Sequence, residues 1–424
     1  MITSVWRQQP YGRKTLTNIL SGLRVIESSA FVAVPMAGMT LSQMGAEVIR
    51  FDRLEGGLDA RRMPYSPSGS SLFWSGMNKG KKSIAVDMKN PEGKDLITNL
   101  ITAPGKDAGL FLTNLKVKGW LDYETLSELR SDIIIVTLKG DRQGRPQVDY
   151  TVNPALGIPE ITGHEGSTEP VANAIPAWDM IAGNMCVSSL LAAERYRLRH
   201  GVGQDVEIAL KDVAAAAIGH LGMIADSTLN TDDRSKAGNA LYGAYGKDFL
   251  CADGNRVMII GLTSRQWSGI LKATDTTEQF KNLENEKNIN LKDEATRWKW
   301  RHEITAILEP WFKTRAVEDF ARDFDNTGLT WSVFRSVKEA LEFDPDLSED
   351  NPLFKKIKQP EAGEFLVPRH PANFSKVDNT EAKGAPALGE HTEEILGDIL
   401  HLSDIEISNL FDKGVVASPT YNKN

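Results

Sequence analysis

The chain has 424 residues, 41% of them hydrophobic and 25% charged, and its 49 basic and 57 acidic side chains give a formal net charge of −8. This mildly acidic balance does not favour a protein that coats nucleic acid or an anionic membrane surface. No apolar run reaches the roughly 18 residues of a membrane-spanning helix. At roughly 150 residues per domain, the length allows two or three domains.

The cysteine content indicates a reducing compartment. The chain has two cysteines, Cys186 and Cys251, both in apolar surroundings. They exclude a disulfide scaffold and a CxxC zinc site, and we expect a cytoplasmic protein. The first 26 residues carry basic but no acidic side chains. They are either a transit peptide or a short exposed arm before the first strand, and we favour the arm.

The first half of the chain alternates short β-branched runs with amphipathic stretches. Helices are predicted at Met36–Met44 and Pro91–Thr102. Strands are predicted at Leu23–Ile26, Glu47–Phe51, Ser83–Asp87, Gly109–Thr113 and Ile133–Leu138. Strands that alternate with helices in this way are typical of an α/β protein whose parallel sheet is covered on both faces.

The middle of the chain continues this pattern with a long helix. We predict it over Trp178–Arg199, where basic residues in the last turn suit the helix dipole. A strand at Asp205–Leu210 and an Ala-rich helix from Lys211 to about Ala225 follow.

A change in composition after Asp226 suggests a domain boundary. We predict a large domain whose first part is 1–226, a smaller domain at 227–335, and a segment at 336–424 that ends in the helix Ser403–Phe411. If that last segment packs back on the large domain, the smaller domain is an insertion.

Several common catalytic motifs are missing from the sequence. It has no G-x-G-x-x-G after the first strand, no Walker P-loop, no G-x-S-x-G and no H-E-x-x-H, and none of its seven histidines pair at i, i+4. The sequence therefore does not support a serine hydrolase, a P-loop NTPase or an ordinary dinucleotide enzyme, and we expect no metal site.

Two basic loops lie beside predicted strands, one directly after Glu47–Phe51 and one directly before Ser83–Asp87. The stretch Gly45–Arg53 leads into a loop with Gly56, Gly57, Arg61 and Arg62. The turn at 78–83 (NKGKKS) carries three lysines. Such loops either hold the phosphates of an anionic ligand at the carboxyl ends of strands or are solvated surface turns, and spacing alone leaves both open.

An aspartate opens the long helix. Asp179 follows Trp178 in the stretch Pro176–Met180. In a first helical turn an aspartate is commonly a cap, but an ionised carboxylate that faces a cleft can act as a nucleophile. We expect the positive end of the helix dipole to keep the pKa of Asp179 low.

The stretches at 45–53, 78–83 and 176–180 resemble those of the family III CoA transferases, the group of formyl-CoA transferase and carnitine CoA-transferase. Leu20–Glu27, Leu112–Asn114 and Pro386–Thr392 also match, so the resemblance covers most of the chain. It implies a Rossmann-like large domain formed by both chain ends, a smaller inserted α+β domain, and a homodimer of two interlocked chains.

The resemblance also implies which residues act. The family's catalytic aspartate falls on Asp179, and an acyl-CoA is the implied substrate, with no cofactor beyond its CoA moiety. The implied CoA contacts are Phe31, Val32, Ala33, Arg53, Asn78, Lys81, Lys82 and Asn114.

Four further runs resemble one branch of the family, in which CoA moves between the two carboxyl groups of one dicarboxylic acid. They are Val148–Pro154, Ile218–Ala225, Gly238–Gly246 and Leu308–Phe312. The resemblance to this branch implies a place in the 3-hydroxypropionate bicycle. An intermolecular CoA transferase and a non-catalytic acyl-CoA-binding protein are the alternatives.

Three positions depart from other branches. Bulky residues occupy 242–247 (YGAYGK), where intermolecular transferases carry a run of glycines. The stretch at 147–149 (QVD) lacks the histidine of the racemases' Gly-His-Asp motif, which argues against racemisation. Asp122 stands where the family often has an arginine.

Overall fold

A computed structural model describes residues 18–115 and 119–419; most of the basic arm, up to residue 17, lies outside them. The strands are β1 (Arg24–Ser28), β2 (Glu47–Asp52), β3 (Lys82–Val86), β4 (Leu110–Thr113), β5 (Ile134–Lys139), β6 (Gln204–Ala209), β7 (Tyr245–Leu250), β8 (Arg256–Gly261), β9 (Thr330–Val333), β10 (Phe354–Gln359), β11 (Gly363–Pro368) and β12 (Val416–Ala417). The helices are α1 (Ala33–Gln43), α2 (Leu72–Met77), α3 (Pro91–Thr102), α4 (Tyr123–Leu129), α5 (Asp149–Ala155), α6 (Ile158–Ile161), α7 (Ala177–His200), α8 (Leu210–His220), α9 (Met223–Leu229), α10 (Ser264–Ala273), α11 (Thr277–Lys287), α12 (Glu294–Lys299), α13 (Arg301–Lys313), α14 (Ala321–Thr327), α15 (Val337–Phe343), α16 (Thr392–Asp398) and α17 (Asp404–Asp412).

A seven-stranded sheet forms the large unit. Its strand order is β12-β3-β2-β1-β4-β5-β6, and all neighbours from β3 to β6 are parallel. The order 3-2-1-4-5-6 is that of the doubly wound Rossmann fold. At the edge, β12 pairs antiparallel with β3, so the C-terminal segment completes the sheet. The predicted Rossmann-like domain, formed by both chain ends, is confirmed.

The centre of the sheet forms from strands that are apolar on both faces. Every residue of β4 is buried, and β5 is buried up to its last residue. Isoleucines, leucines and phenylalanines of the sheet pack with α3, α4, α16 and α17 in one large cluster. Helix α7 lies along α1 and β5. Burial of this continuous apolar surface is the main favourable contribution to folding of the large unit.

Two predicted helices differ from the observed ones. Helix α1 begins at Ala33 rather than Met36, because Pro35 falls in its first turn, where the missing N–H leaves no hydrogen bond unmade. The helix predicted from Lys211 to about Ala225 is two helices, α8 and α9. Gly222, with φ of +75°, breaks it in a left-handed conformation that glycine adopts without strain.

The second compact unit comprises Gly157–Asn173 and Ala225–Asp344. Its antiparallel sheet, β7-β8-β9, packs against helices through a core rich in aromatic rings. The shift in composition predicts this unit at 227–335. The structure also assigns Gly157–Asn173 to it, a short segment that carries no such shift. None of the helices in residues 18–115 and 119–419 is both long and apolar enough to cross a membrane.

Candidate active site

The carboxyl ends of β1, β2 and β4 meet at one edge of the large sheet, where open α/β proteins bind their ligands. The loop from β1 to α1 crosses this edge. In that loop Phe31 has a φ of +67°, a left-handed conformation that costs a non-glycine residue about 1 kcal/mol or more. The ring of Phe31 lies 5.4 Å from the guanidinium carbon of Arg62. Val32 is half-buried at the N-terminus of α1, and Ala33 is buried.

Asn114, the residue that follows β4, is bound to this loop. Its Oδ1 accepts a hydrogen bond from the backbone N–H of Ala30 at 2.9 Å, and its Nδ2 donates to the Ala30 carbonyl at 2.8 Å. The amide is therefore engaged with the protein backbone at the point where the resemblance implied a CoA contact.

The lysine turn is only partly a surface feature. Lys81 is buried, and its Nζ donates to Glu27 at 2.7 Å, to the Pro35 carbonyl at 2.8 Å and to Asn78 at 3.0 Å. Burial lowers the pKa of Lys81 to about 8 despite the nearby Glu27. Asn78 is also fully buried. Direct contact of these two side chains with CoA does not fit this burial. Lys81 instead links Glu27 to the Pro35 carbonyl and so stabilises the loop from β1 to α1.

Lys82 lies nearer the surface but is also paired. Its Nζ lies 2.7 Å from both Glu47 and Glu394. Burial opposes its charged form, but the two carboxylates outweigh that effect and raise the pKa of Lys82. Of the basic residues predicted to contact CoA, Arg53 at the end of β2 is the exposed one. Its contact with CoA stays a prediction.

A buried arginine in β2 connects these loops, a role that no sequence motif indicates. Arg50 donates to Asp52 at 2.8 Å, to Asp59 at 2.7 Å and to the Ser29 carbonyl at 3.1 Å. Burial opposes its charge, but Asp52 and Asp59 outweigh burial and raise its pKa. The available signal is an arginine between the apolar residues Ile49 and Phe51 of a predicted strand, because a buried charge needs partners.

The N-terminus of α7 carries Asp179 and is capped from outside the helix. Oδ2 of Asp149 accepts hydrogen bonds from the backbone N–H groups of Trp178 at 2.7 Å and Asp179 at 3.3 Å. The indole Nε1 of Trp178 donates to Asn153 at 2.9 Å. Because Asp149 supplies the cap, the carboxylate of Asp179 is not needed for that role.

The expected low pKa of Asp179 is wrong. Burial and, to a smaller extent, the charge of Asp149 raise the pKa of Asp179 to about 6. The helix dipole is outweighed because the site is poorly solvated and a second carboxylate already occupies the end of the helix. A carboxyl with a pKa near neutrality in a ligand-binding edge is typical of functional sites.

Glycine at position 183 brings α7 against α1. A Cβ added to Gly183 would lie 2.7 Å from the Ala33 carbonyl oxygen and 2.9 Å from Met36. Gly183 lies one helical turn after Asp179 on the same side of the helix. Asp179 therefore lies on the side of α7 that faces the first turn of α1.

The departures noted in the sequence have structural roles. Asp122 caps α4 by accepting a hydrogen bond from the Thr125 backbone N–H. In the second unit, the Tyr242 ring lies 3.5 Å from the guanidinium carbon of Arg234 and 5.0 Å from the Trp298 ring. A bulky tyrosine, packed against both side chains, thus occupies the 242–247 segment.

The fold and the site together define a doubly wound α/β protein whose candidate site lies at the carboxyl edge of its parallel sheet. The chain belongs to CoA-transferase family III, whose model matches residues 20–392. A 2-methylfumaryl-CoA isomerase of Chloroflexus aurantiacus is 50% identical over 405 residues, which cover 95% of this chain and 99% of that protein.

Two further relatives are more distant. The human succinyl-CoA:glutarate CoA-transferase is 26% identical over 97% of this chain and 93% of its own length. A crystal structure of a CAIB/BAIF family protein from Brucella suis has a TM-score of 0.73 at 23% identity, and the match covers 90% of this chain and 99% of that chain. It supports the fold alone.

Proposed function

We propose that this protein is an intramolecular CoA transferase that converts 2-methylfumaryl-CoA into 3-methylfumaryl-CoA. The observation that carries the proposal is the 50% identity, over nearly the full length of both chains, to the 2-methylfumaryl-CoA isomerase of Chloroflexus aurantiacus. The position of Asp179 at the ligand-binding edge of the sheet supports it.

The first half of the reaction cleaves the thioester. The ionised carboxylate of Asp179 attacks the thioester carbonyl at C1 of the substrate, and CoA leaves as a thiolate. This step forms a mixed anhydride between Asp179 and the substrate's C1 carboxyl. The thiolate then attacks the Asp179 carbonyl, which gives an aspartyl-CoA thioester and free 2-methylfumarate (mesaconate).

The second half repeats these steps at the other end of the acid. The C4 carboxylate of the retained mesaconate attacks the aspartyl thioester and forms a new mixed anhydride, and CoA again leaves as a thiolate. Attack of the thiolate on the C4 carbonyl gives 3-methylfumaryl-CoA and restores the Asp179 carboxylate. The bonds and charges balance without any group beyond the CoA of the substrate. Retention of the acid replaces a second encounter, an advantage that reaches several kcal/mol.

The loop at Phe31, Val32 and Ala33 is our candidate for contact with the reacting end of the acyl-CoA. Its backbone N–H groups at the start of α1 would stabilise the oxyanion of each tetrahedral intermediate. Arg53 would pair with phosphate groups of CoA, since its guanidinium is exposed at the end of β2.

We also propose that the protein is a homodimer in the cytoplasm. Large apolar side chains are exposed on α7 and directly after α8 in the large unit: Met180, Ile181, Met185 and Leu221. Exposed apolar surface of this kind favours contact with a second copy of the chain. Sedimentation at micromolar protein concentration tests the dimer, and a monomer would contradict it.

The buried free thiols of Cys186 and Cys251 accord with a reducing compartment such as the cytoplasm.

The test of the activity is incubation of the purified protein with 2-methylfumaryl-CoA and no added acid. We expect conversion to 3-methylfumaryl-CoA, and a loss of about a thousandfold or more in kcat in Asp179→Asn. Turnover only after addition of a free carboxylic acid would instead indicate an intermolecular transferase. Binding of the CoA ester without turnover would indicate a non-catalytic protein.

A further inference from the structure

The loop from β1 to α1 is held from two sides. On one side, Asn114 makes its two hydrogen bonds to the N–H and the carbonyl of Ala30, at 2.9 and 2.8 Å. An amide paired with both backbone groups of one residue fixes the position and the orientation of that peptide segment.

On the other side, the loop is bound to the buried charge network. The Ser29 carbonyl accepts from Arg50 at 3.1 Å, and the Ser29 hydroxyl donates to Glu27 at 2.6 Å. Lys81 donates to both Glu27 and the Pro35 carbonyl. The residues that flank Phe31 are therefore anchored both before and after it.

Between these two sets of contacts, Phe31 has a left-handed backbone conformation. Its φ of +67° is retained only where the surroundings hold the backbone in place. Directly after it, the chain enters α1, whose Ala33 carbonyl meets α7 at Gly183, one turn from Asp179. The loop thus leads directly into the turn of α1 that packs against α7.

We propose that Asn114 is a positioning residue: its amide holds the Phe31 loop in place against the helix that carries Asp179, and it is not itself a CoA ligand. The proposal rests on the proposed function for its kinetic test. Asn114 acts through Ala30 and Phe31, so its loss should slow the chemical steps more than it weakens binding of CoA.

The structure offers a matched control for this experiment. Gln359 makes the same pair of hydrogen bonds to the Ala385 backbone, at 2.8 Å each, elsewhere in the large unit. Gln359→Ala removes an equivalent pair of hydrogen bonds and leaves the contacts of the Phe31 loop unchanged. A general loss of stability should affect both variants, whereas a loss of positioning should affect Asn114→Ala alone.

The experiment compares wild type, Asn114→Ala and Gln359→Ala in kcat with 2-methylfumaryl-CoA, in binding of free CoA by calorimetry, and in melting temperature. We expect kcat to fall about tenfold or more in Asn114→Ala, CoA affinity to change less than kcat, and kcat to stay within about twofold of wild type in Gln359→Ala. If the alanine variant does not fold, Asn114→Asp, which has the same shape but no donor for the Ala30 carbonyl, should give the same division between kcat and affinity.

Three results would overturn the proposal: a loss of CoA affinity larger than the loss of kcat, unchanged kcat, or an equal loss of kcat in Gln359→Ala. A wild-type protein that does not isomerise the substrate would refute the proposed function instead. In that case a crystal structure of Asn114→Ala decides the matter. Phe31 should leave the left-handed region, and an unchanged loop would refute the positioning role.

Discussion

The carboxylate of Asp149 accepts a hydrogen bond from the backbone N–H of Asp179 at 3.3 Å, and a shorter one from the preceding residue, Trp178. Two acids therefore share one helix N-terminus: Asp149 is the cap, and Asp179 is the acid to which the proposed function assigns the reaction. The cap orients the first turn of α7, and its charge adds to the effect of burial in raising the pKa of Asp179 to about 6.

The proposed mechanism requires Asp179 in its ionised form, so activity should depend on pH around that value. We expect kcat/KM for 2-methylfumaryl-CoA to be about tenfold lower at pH 5 than at pH 7, and level above pH 7, because a group with a pKa near 6 is mostly protonated at pH 5. Rates measured from pH 5 to pH 8 test this. A level profile down to pH 4.5 would show that Asp179 is not raised or not the nucleophile.

Removal of the charge on Asp149 should move that pH dependence. In Asp149→Asn an amide oxygen still accepts from the helix, but the repulsion between the two carboxylates is gone. We expect the acid limb of the profile to move to lower pH by at most about one unit, because burial, the larger cause of the shift, remains. Asp122→Asn, a change in the acid that caps α4, is the matched control and should leave the profile unchanged.

Asp179 should also reduce the stability of the fold. Its pKa is higher in the folded chain than its usual value near 3.8, so the ionised form is disfavoured by folding. The destabilisation is fully present above pH 6 and disappears as pH falls through 6 towards 4. We expect Asp179→Asn to raise the melting temperature by about 2 to 4 °C at pH 8 and by less at pH 5. The control is Asp212→Asn, an exposed acid in the first turn of α8, and an equal gain there would contradict the explanation.

The close contact of α7 with α1 should tolerate no side chain at position 183. In Gly183→Ala the new methyl group would lie 2.7 Å from the Ala33 carbonyl, so the helices must separate. We expect a loss of about 1 to 3 kcal/mol in the free energy of unfolding and a lower kcat. Gly76→Ala places its methyl in open space in α2, and we expect it to be neutral or stabilising in the same denaturation experiment.

The buried pair of Lys81 and Glu27 should matter for folding rather than for direct contact with CoA. Lys81→Met leaves the Glu27 carboxylate buried without its cation, at a cost of about 3 to 5 kcal/mol in urea denaturation. The neighbouring Lys82→Met removes a half-exposed pair and should cost about 1 kcal/mol or less. If Lys81→Met bound CoA more weakly at unchanged stability, the result would contradict this explanation and support the prediction that Lys81 contacts CoA.

The sequence alone was sufficient for the elements with a strong local signal. The apolar runs of β4 and β5 predicted buried parallel strands, and the pattern from Trp178 to Arg199 predicted α7 to within a residue at either end. Local patterns did not reveal Gly222 as a break, since a glycine within an apolar stretch is compatible with a continuous helix.

The site was less predictable because its contacts are distant in sequence. Lys81 is 54 residues from Glu27, and Asp179 is 30 residues from Asp149. A lysine-rich turn gives no local sign that one lysine is buried against a carboxylate on another strand. The resemblance to the family predicts Asp179 as a site residue. Spacing alone does not show whether Asp179 caps α7 itself or whether another residue, here Asp149, supplies the cap.

The retention of the free acid is the central claim, and an isotope experiment tests it most directly. The protein is incubated with unlabelled 2-methylfumaryl-CoA and an excess of carbon-13-labelled mesaconate, and the product is analysed by mass spectrometry. The account predicts unlabelled 3-methylfumaryl-CoA, because the acid released from CoA stays bound until its other carboxylate reacts. Labelled product that increases with the concentration of free mesaconate would contradict it and would identify an intermolecular transferase.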